Sequence, residues 1–159
     1  MEKGTIQIYY GSGQGKSAAA LGNAIRFASQ GKTCIVIQFL KSEINSEYFE
    51  KLEPEIKIFR FERSKEGFEN LTEDQKQEEK INIQNGLNYA KKVLGTGECD
   101  LLILDEVLGI VDEGIVSEDD IKEALNGKSI ITNVIMTGMN MTPELFEIAD
   151  SVLKLEPEK

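Results

Sequence analysis

The run Gly11-Ser12-Gly13-Gln14-Gly15-Lys16-Ser17 is the segment of this chain best equipped for chemistry. A glycine-rich turn between a strand and a helix exposes successive backbone N–H groups, and the helix start adds a partial positive charge. Lys16 brings a full positive charge, and Ser17 a hydroxyl suited to Mg²⁺. Together they form a cradle for the phosphates of a nucleoside triphosphate, with ATP and Mg²⁺ the expected pair. A chance glycine turn with a solvated lysine would need neither the strand before it nor the helix after it. The general pattern G-x-x-x-x-G-K-[ST] places a glycine at position 10, where this chain has Tyr10, so the loop is one residue short. Further on, the apolar run Leu101 to Leu104 ends in Asp105-Glu106, which reads as a buried strand presenting carboxylates to a metal. Mg²⁺ keeps much of its water shell and takes few protein ligands, so one or two carboxylates are enough. Two ordinary surface carboxylates at a strand end are the simpler alternative.

Composition narrows the chemistry further. Among 159 residues there is no histidine, which removes Ser-His and Cys-His catalysis, histidine general bases and His-ligated metals. What remains is lysine, carboxylates, backbone amides, a bound metal and the reactivity of the substrates. With 28 acidic against 18 basic residues the net charge is -10, which argues against a nucleic-acid partner. The two cysteines, Cys34 and Cys99, suit a reduced cytoplasmic protein better than a disulfide framework. No basic-then-apolar leader and no apolar run of membrane-spanning length is apparent.

The elements that must position these residues alternate in type. Thr5 to Tyr10 reads as a strand, and Lys16 to Gln30 as an alanine-rich helix stopped by Gly31. Thr33 to Leu40 is a near-continuous apolar run, expected of a strand covered on both faces. Ile56 to Phe61 alternates as a third strand, and about Thr72 to Leu94 forms a long helix. Leu101 to Leu104 is the fourth strand. Ser117 and Asp120 resemble a capping box opening a helix to about Leu125. Ile130 to Thr137 is a fifth strand, Thr142-Pro143 starts a short helix, and Ser151 to Leu155 is a last strand. Nothing divides the chain, so residues 1–159 form a single domain. The expected class is α/β: a three-layer phosphate-loop domain of RecA-like type with a mainly parallel sheet. In such sheets ligands bind at the carboxyl ends of the strands, bringing the glycine loop, Gln38, Asp105 and Thr137 to one crevice.

Over nearly its whole length the sequence resembles the ATP:corrinoid adenosyltransferase family. The resemblance rests on Gly11 to Ala20, on Gly31-Lys32, on the distinctive Val36-Ile-Gln-Phe-Leu-Lys41, and on Asn45-Ser46-Glu47. It continues through Asp100 to Glu106, Thr137-Gly138 and Ala149-Asp-Ser-Val152. It implies that ATP lies in the loop in a sense reversed from ordinary nucleotide hydrolases. Its 5′-carbon then meets a Co(I) corrinoid nucleophile, and triphosphate leaves. On that basis Lys16, Ser17 and Glu106 are catalytic, and Ser17, Asp105 and Glu106 handle the metal. Gly11, Ser12, Gly13, Gln14, Gly15, Lys16, Ser17, Ala18, Gln38, Lys41, Phe68 and Thr137 bind nucleotide or corrinoid. Phe68 would pack under the corrinoid, or alternatively fold back onto the core. Met136, Met139 and Met141 would line an apolar pocket or fill gaps in the core.

The pattern departs from the family at Met139, where arginine is usual, and at Asn70, where a second aromatic is usual. A basic tail with a Lys-His pair is expected where this chain reads Leu155-Glu-Pro-Glu-Lys159, and an N-terminal extension is expected before the first strand. The implied partners are ATP and a reduced corrinoid, with room for an electron-donor protein and a homodimer, and with no nucleic acid or membrane. The competing reading is a phosphate-loop protein that binds ATP for regulation or hydrolysis without corrinoid chemistry.

Overall fold

A computed structural model describes residues 2–40, 50–61 and 66–159. Among them six parallel strands form one sheet: β1 (Ile6–Tyr10), β2 (Cys34–Gln38), β3 (Ile56–Arg60), β4 (Leu101–Asp105), β5 (Asn133–Gly138) and β6 (Ser151–Lys154). Their order across the sheet is β3-β2-β4-β5-β1-β6. The chain leaves β1, passes over two positions to β2, and only later fills the gap with β4 and β5. The expected parallel α/β architecture is therefore what forms.

Helices α1 (Lys16–Ser29), α2 (Glu73–Thr96), α3 (Val107–Asp112), α4 (Glu118–Asn126) and α5 (Pro143–Ile148) cover the faces. Side chains alternate across a strand, so each strand feeds two cores. Ile35, Ile37, Leu102, Leu104, Val134 and Met136 join the larger core, with Ile83, Leu87, Val93 and Leu94 of α2. Cys34, Val36, Leu101, Ile103, Ile56 and Ile135 join the smaller one, with Ala20 and Ala24 of α1. The small α1 residues let that helix lie close to the sheet. Double coverage explains why β2 and β4 are buried at every position.

The caps expected from sequence at Ser117 and Thr142 are present, and a further one stands at Thr72. Ser117 Oγ accepts from the Asp120 amide while Asp120 accepts from the Ser117 amide. Thr72 and Gln75 form the same reciprocal pair at the start of α2, and Thr142 with Pro143 opens α5. The fifth strand begins three residues later than expected. Residues 130–132 form a turn instead, because Thr132 N bonds back to Ser129 O at 3.2 Å and Gly4 N takes the Ile130 carbonyl at 2.8 Å. Two elements have no counterpart in the sequence reading: a 3₁₀ turn at Phe68–Asn70 and the short helix α3. Six residues give too short a periodic run to announce α3, yet Val107, Leu108 and Ile110 are buried.

Both cysteines are free and buried. Burial, reinforced by the charge of Asp100, pushes the Cys34 thiol up to about 11. Burial, then the neighbouring Cys34, Glu98 and Asp100, pushes Cys99 up to about 12. Among the described residues no helix is long and apolar enough to cross a membrane.

Two outcomes follow from this packing. At pH 8 both thiols should resist alkylation in the folded chain and react readily in denaturant, checked by mass spectrometry. A Cβ at Gly138 would collide with Cβ of Leu108. Gly138→Ala should therefore destabilise the fold by about 1–3 kcal/mol, read as a lower urea midpoint.

Candidate functional site

The site is assembled where strands end. Following the i, i+2 rows of the smaller core to the carboxyl edge leads from Ile58 to Arg60 and from Val36 to Gln38. The same rows lead from Ile103 to Asp105 and from Ile135 to Thr137. Register places Gln38 opposite Arg60 on one side and opposite Asp105 on the other. The apolar rows thus give way to one polar row on the face that α1 covers, beside the first turn of that helix.

Within this row Asp105 is the hub. Its Oδ1 accepts from Ser17 Oγ at 2.6 Å and from Thr137 Oγ1 at 3.0 Å. The Thr137 hydroxyl in turn accepts from the Glu106 amide at 2.9 Å. Asp105 and Thr137 are 2% and 0% exposed, so these bonds are made away from bulk water, where an unpaired carboxylate would be costly. Glu106 is the only non-glycine residue with positive φ (59°) among the described residues. Such backbone is strained for a residue with a side chain and persists where the surroundings fix it. Here the Thr137 hydroxyl holds its amide, and Gly109 leaves room for its carboxylate. A Cβ at Gly109 would stand 3.1 Å from Glu106 Oε2 and 2.7 Å from Leu40 Cδ1.

The glycine loop has equally specific causes. Gly11 and Gly15 have φ of 124° and 101°, conformations that favour glycine. A Cβ on Gly11 would collide with the Leu155 carbonyl, and one on Gly13 would stand 2.8 Å from it. Gly13 N donates to that carbonyl at 2.8 Å, and Leu155 N donates to Tyr10 O at 2.7 Å. The segment after β6 therefore backs the loop. Lys16 Nζ donates to Gly11 O at 2.8 Å and Gly13 O at 2.7 Å, which folds the lysine across its own loop. Ser12, Gln14 and Ala18 are exposed along the outer side.

Of the residues singled out by sequence, the loop, Lys16, Ser17, Gln38, Asp105, Glu106 and Thr137 converge at one edge of the sheet. Phe68 does not join them. It is buried in the larger core, with Lys76 Nζ 5.7 Å from its ring centroid. Met136 is buried in that core and Met141 packs against it, whereas Met139 is exposed. Lys41 and Asn45-Ser46-Glu47 lie outside the described residues. Sequence reasoning missed Arg60, whose Nε donates to Gln38 Oε1 at 3.1 Å. Its only signal was its place at the end of an alternating strand.

The oxygen donors present suit Mg²⁺. A hydroxyl and a carboxylate 2.6 Å apart are hard ligands at the mouth of a phosphate cradle. Among the described residues no cluster of three or more His, Cys, Asp or Glu offers a protein-only metal cage.

Residues 2–159 match the family model described as ATP:corrinoid adenosyltransferase BtuR/CobO/CobP. The chain belongs to that family. This transferase is 30% identical over 158 residues to a corrinoid adenosyltransferase of Escherichia coli K12, covering 99% of this chain and 79% of the relative. It is 28% identical over 158 residues to the Salmonella typhimurium LT2 corrinoid adenosyltransferase CobA, with the same two coverages. Among solved structures, a KaiC-like protein of Pyrococcus horikoshii OT3 shares the fold, with TM-score 0.62 and 18% identity. That match covers 98% of this transferase and 74% of the other chain. The RecA-like fold class expected from sequence is thereby borne out.

Lys16→Ala should lower MgATP affinity at least tenfold while leaving the melting temperature within a few degrees, since the loop keeps its glycines and its Leu155 contact. Isothermal titration calorimetry reads the first quantity and circular dichroism the second. Unchanged affinity would mean that Lys16 and its loop do not cradle the phosphates.

Proposed function

We propose that this transferase seats the triphosphate of MgATP in the 11–17 loop and delivers the 5′-deoxyadenosyl group to a Co(I) corrinoid. A cobalt–carbon bond forms, the C5′–O bond breaks, and triphosphate leaves. The observation that carries this reading is the buried Ser17–Asp105–Thr137 cluster directly beneath a phosphate loop, in a chain of this family.

The absence of histidine fits the reaction. Cobalt supplies the electron pair, no proton has to be taken from the nucleophile, and the protein's task is positioning and charge stabilisation. Lys16 is the cation for the leaving triphosphate: its ammonium exchanges the Gly11 and Gly13 carbonyls for phosphate oxygens. The loop amides add fixed dipoles aimed at the same charge. Ser17 and Asp105 would hold Mg²⁺, with Glu106 reaching its water shell. The metal when bound neutralises charge on the triphosphate. Thr137 keeps Asp105 and the Glu106 backbone in place. Ala18, Ser12 and Gln14 border the exposed rim where the rest of the nucleotide would lie. Phe68 in its buried setting contributes to the core, and a corrinoid contact from it would require the 67–70 turn to swing outward.

Co(I) has to be generated by a reductant, so an electron-donor protein is a natural partner. A second copy of the chain could supply walls to a crevice open at the strand ends. Buried reduced cysteines and MgATP chemistry fit the cytoplasm.

The test is anaerobic. Protein, ATP, Mg²⁺ and chemically reduced cobalamin should lose the Co(I) absorbance, gain a light-sensitive alkylcobalamin spectrum, and accumulate triphosphate stoichiometrically. Release of single phosphate without a cobalt–carbon product would replace the transferase reading with a hydrolase.

A further inference from the structure

Gln38 holds one end of its amide in a defined orientation and leaves the other end unused. The side chain is 1% exposed at the carboxyl end of β2. Its Oε1 faces Arg60 Nε at 3.1 Å. A guanidinium only donates, so the atom facing it must be the carbonyl oxygen, and the amide orientation is fixed by chemistry. The remaining group, Nε2, is buried and has no hydrogen-bond partner among the described residues. A buried amide donor left unpaired is costly, and natural folds rarely keep one without a reason.

The reason lies in the polar row. Gln38 is the register neighbour of Asp105, on the face where α1 begins with Lys16 and Ser17. A donor-only group in that place suits an anionic oxygen. With no lone pair to offer, it cannot serve as a ligand to a cation. We infer that Arg60 is a positioning residue: it fixes the Gln38 amide so that Nε2 donates to an oxygen of the triphosphate seated in the loop. This deepens the nucleotide reading above and rests on it. Arg60 itself stays at the exposed rim of the sheet and acts through Gln38, without touching the ligand.

The test uses the full chain with two probes, MgATP and inorganic triphosphate with Mg²⁺, titrated by calorimetry. Gln38→Leu keeps the volume and removes the donor. It should weaken both probes by about ten- to a hundredfold, the range expected for a hydrogen bond to a charged group. Its melting temperature should hold or rise, because an unpaired buried donor is gone. Arg60→Ala should give a smaller loss on both probes, and Arg60→Lys should recover part of it through a new donor. The double variant Gln38→Leu/Arg60→Ala should be no worse than Gln38→Leu alone, since Arg60 acts only through Gln38. Unchanged affinity in Gln38→Leu, or a loss confined to MgATP, would overturn the phosphate contact. Additive losses in the double variant would overturn the positioning role. Failure of the unsubstituted chain to bind either probe would instead overturn the nucleotide reading on which this inference stands.

Discussion

One carboxylate oxygen, Oδ1 of Asp105, accepts hydroxyls from two elements at once. Ser17 reaches it from the first turn of α1, and Thr137 reaches it from the end of β5. This shared acceptor ties the helix that carries the phosphate loop to two central strands. It also sets the terms for everything nearby. Thr137, having donated to Asp105, accepts from the Glu106 amide, and so pins the strained turn that leads into α3. Buried at 2% exposure, the carboxylate needs these donors, and the donors in turn are oriented by it. A metal arriving at Ser17 would take over a ligand set already assembled, at little cost in reorganisation.

Around this hub the fold is arranged by exclusion as much as by attraction. Gly11 and Gly13 are needed because the Leu155 carbonyl occupies the space a side chain would take. Gly138 is needed because Leu108 packs against it, which brings α3 close to β5. Gly109 makes room for Glu106 and Leu40. Gly11 and Gly13 let backbone meet backbone, and Gly109 and Gly138 let side chains close in, all at the strand ends where an α/β sheet binds ligands. The backbone approach of β6 and the segment behind it to the loop makes the last strand part of the site's foundation, although it is the edge of the sheet.

The resting site is self-satisfied in an uneven way. Lys16 is placed on two loop carbonyls and the hydroxyls share Asp105, so most charged and polar groups have partners that a ligand can replace. Exchange of one partner for another keeps net binding energies modest, because each new contact is set against one given up. Among the described residues Gln38 Nε2 differs: it has no hydrogen bond to give up when a new contact forms.

Much of this was readable in the amino-acid order. The loop, its short length, the Leu101–Leu104 strand ending in Asp105, the capping box at Ser117, the Thr142 cap with its proline, and the parallel α/β class all follow from local rules: periodicity, glycine placement and helix-end chemistry. Those rules involve neighbours within a few residues, so the sequence determines them. The later start of β5 escaped because the Gly4 amide, brought in from the far end of the chain, and a local turn onto the Ser129 carbonyl hold 130–132 away from the ladder. Helix α3 escaped because its six residues are held by burial rather than by a periodic run. Phe68 could be read equally as a ligand platform or as core, and packing against α2 decided for the core. Arg60 carried no motif, and its bond to Gln38 exists only because β3 lies beside β2 in matching register. The residue types that could handle a triphosphate were fixed by the sequence alone. Which of them meet was fixed by strand order, because a parallel sheet gathers side chains from distant parts of the chain at a single edge.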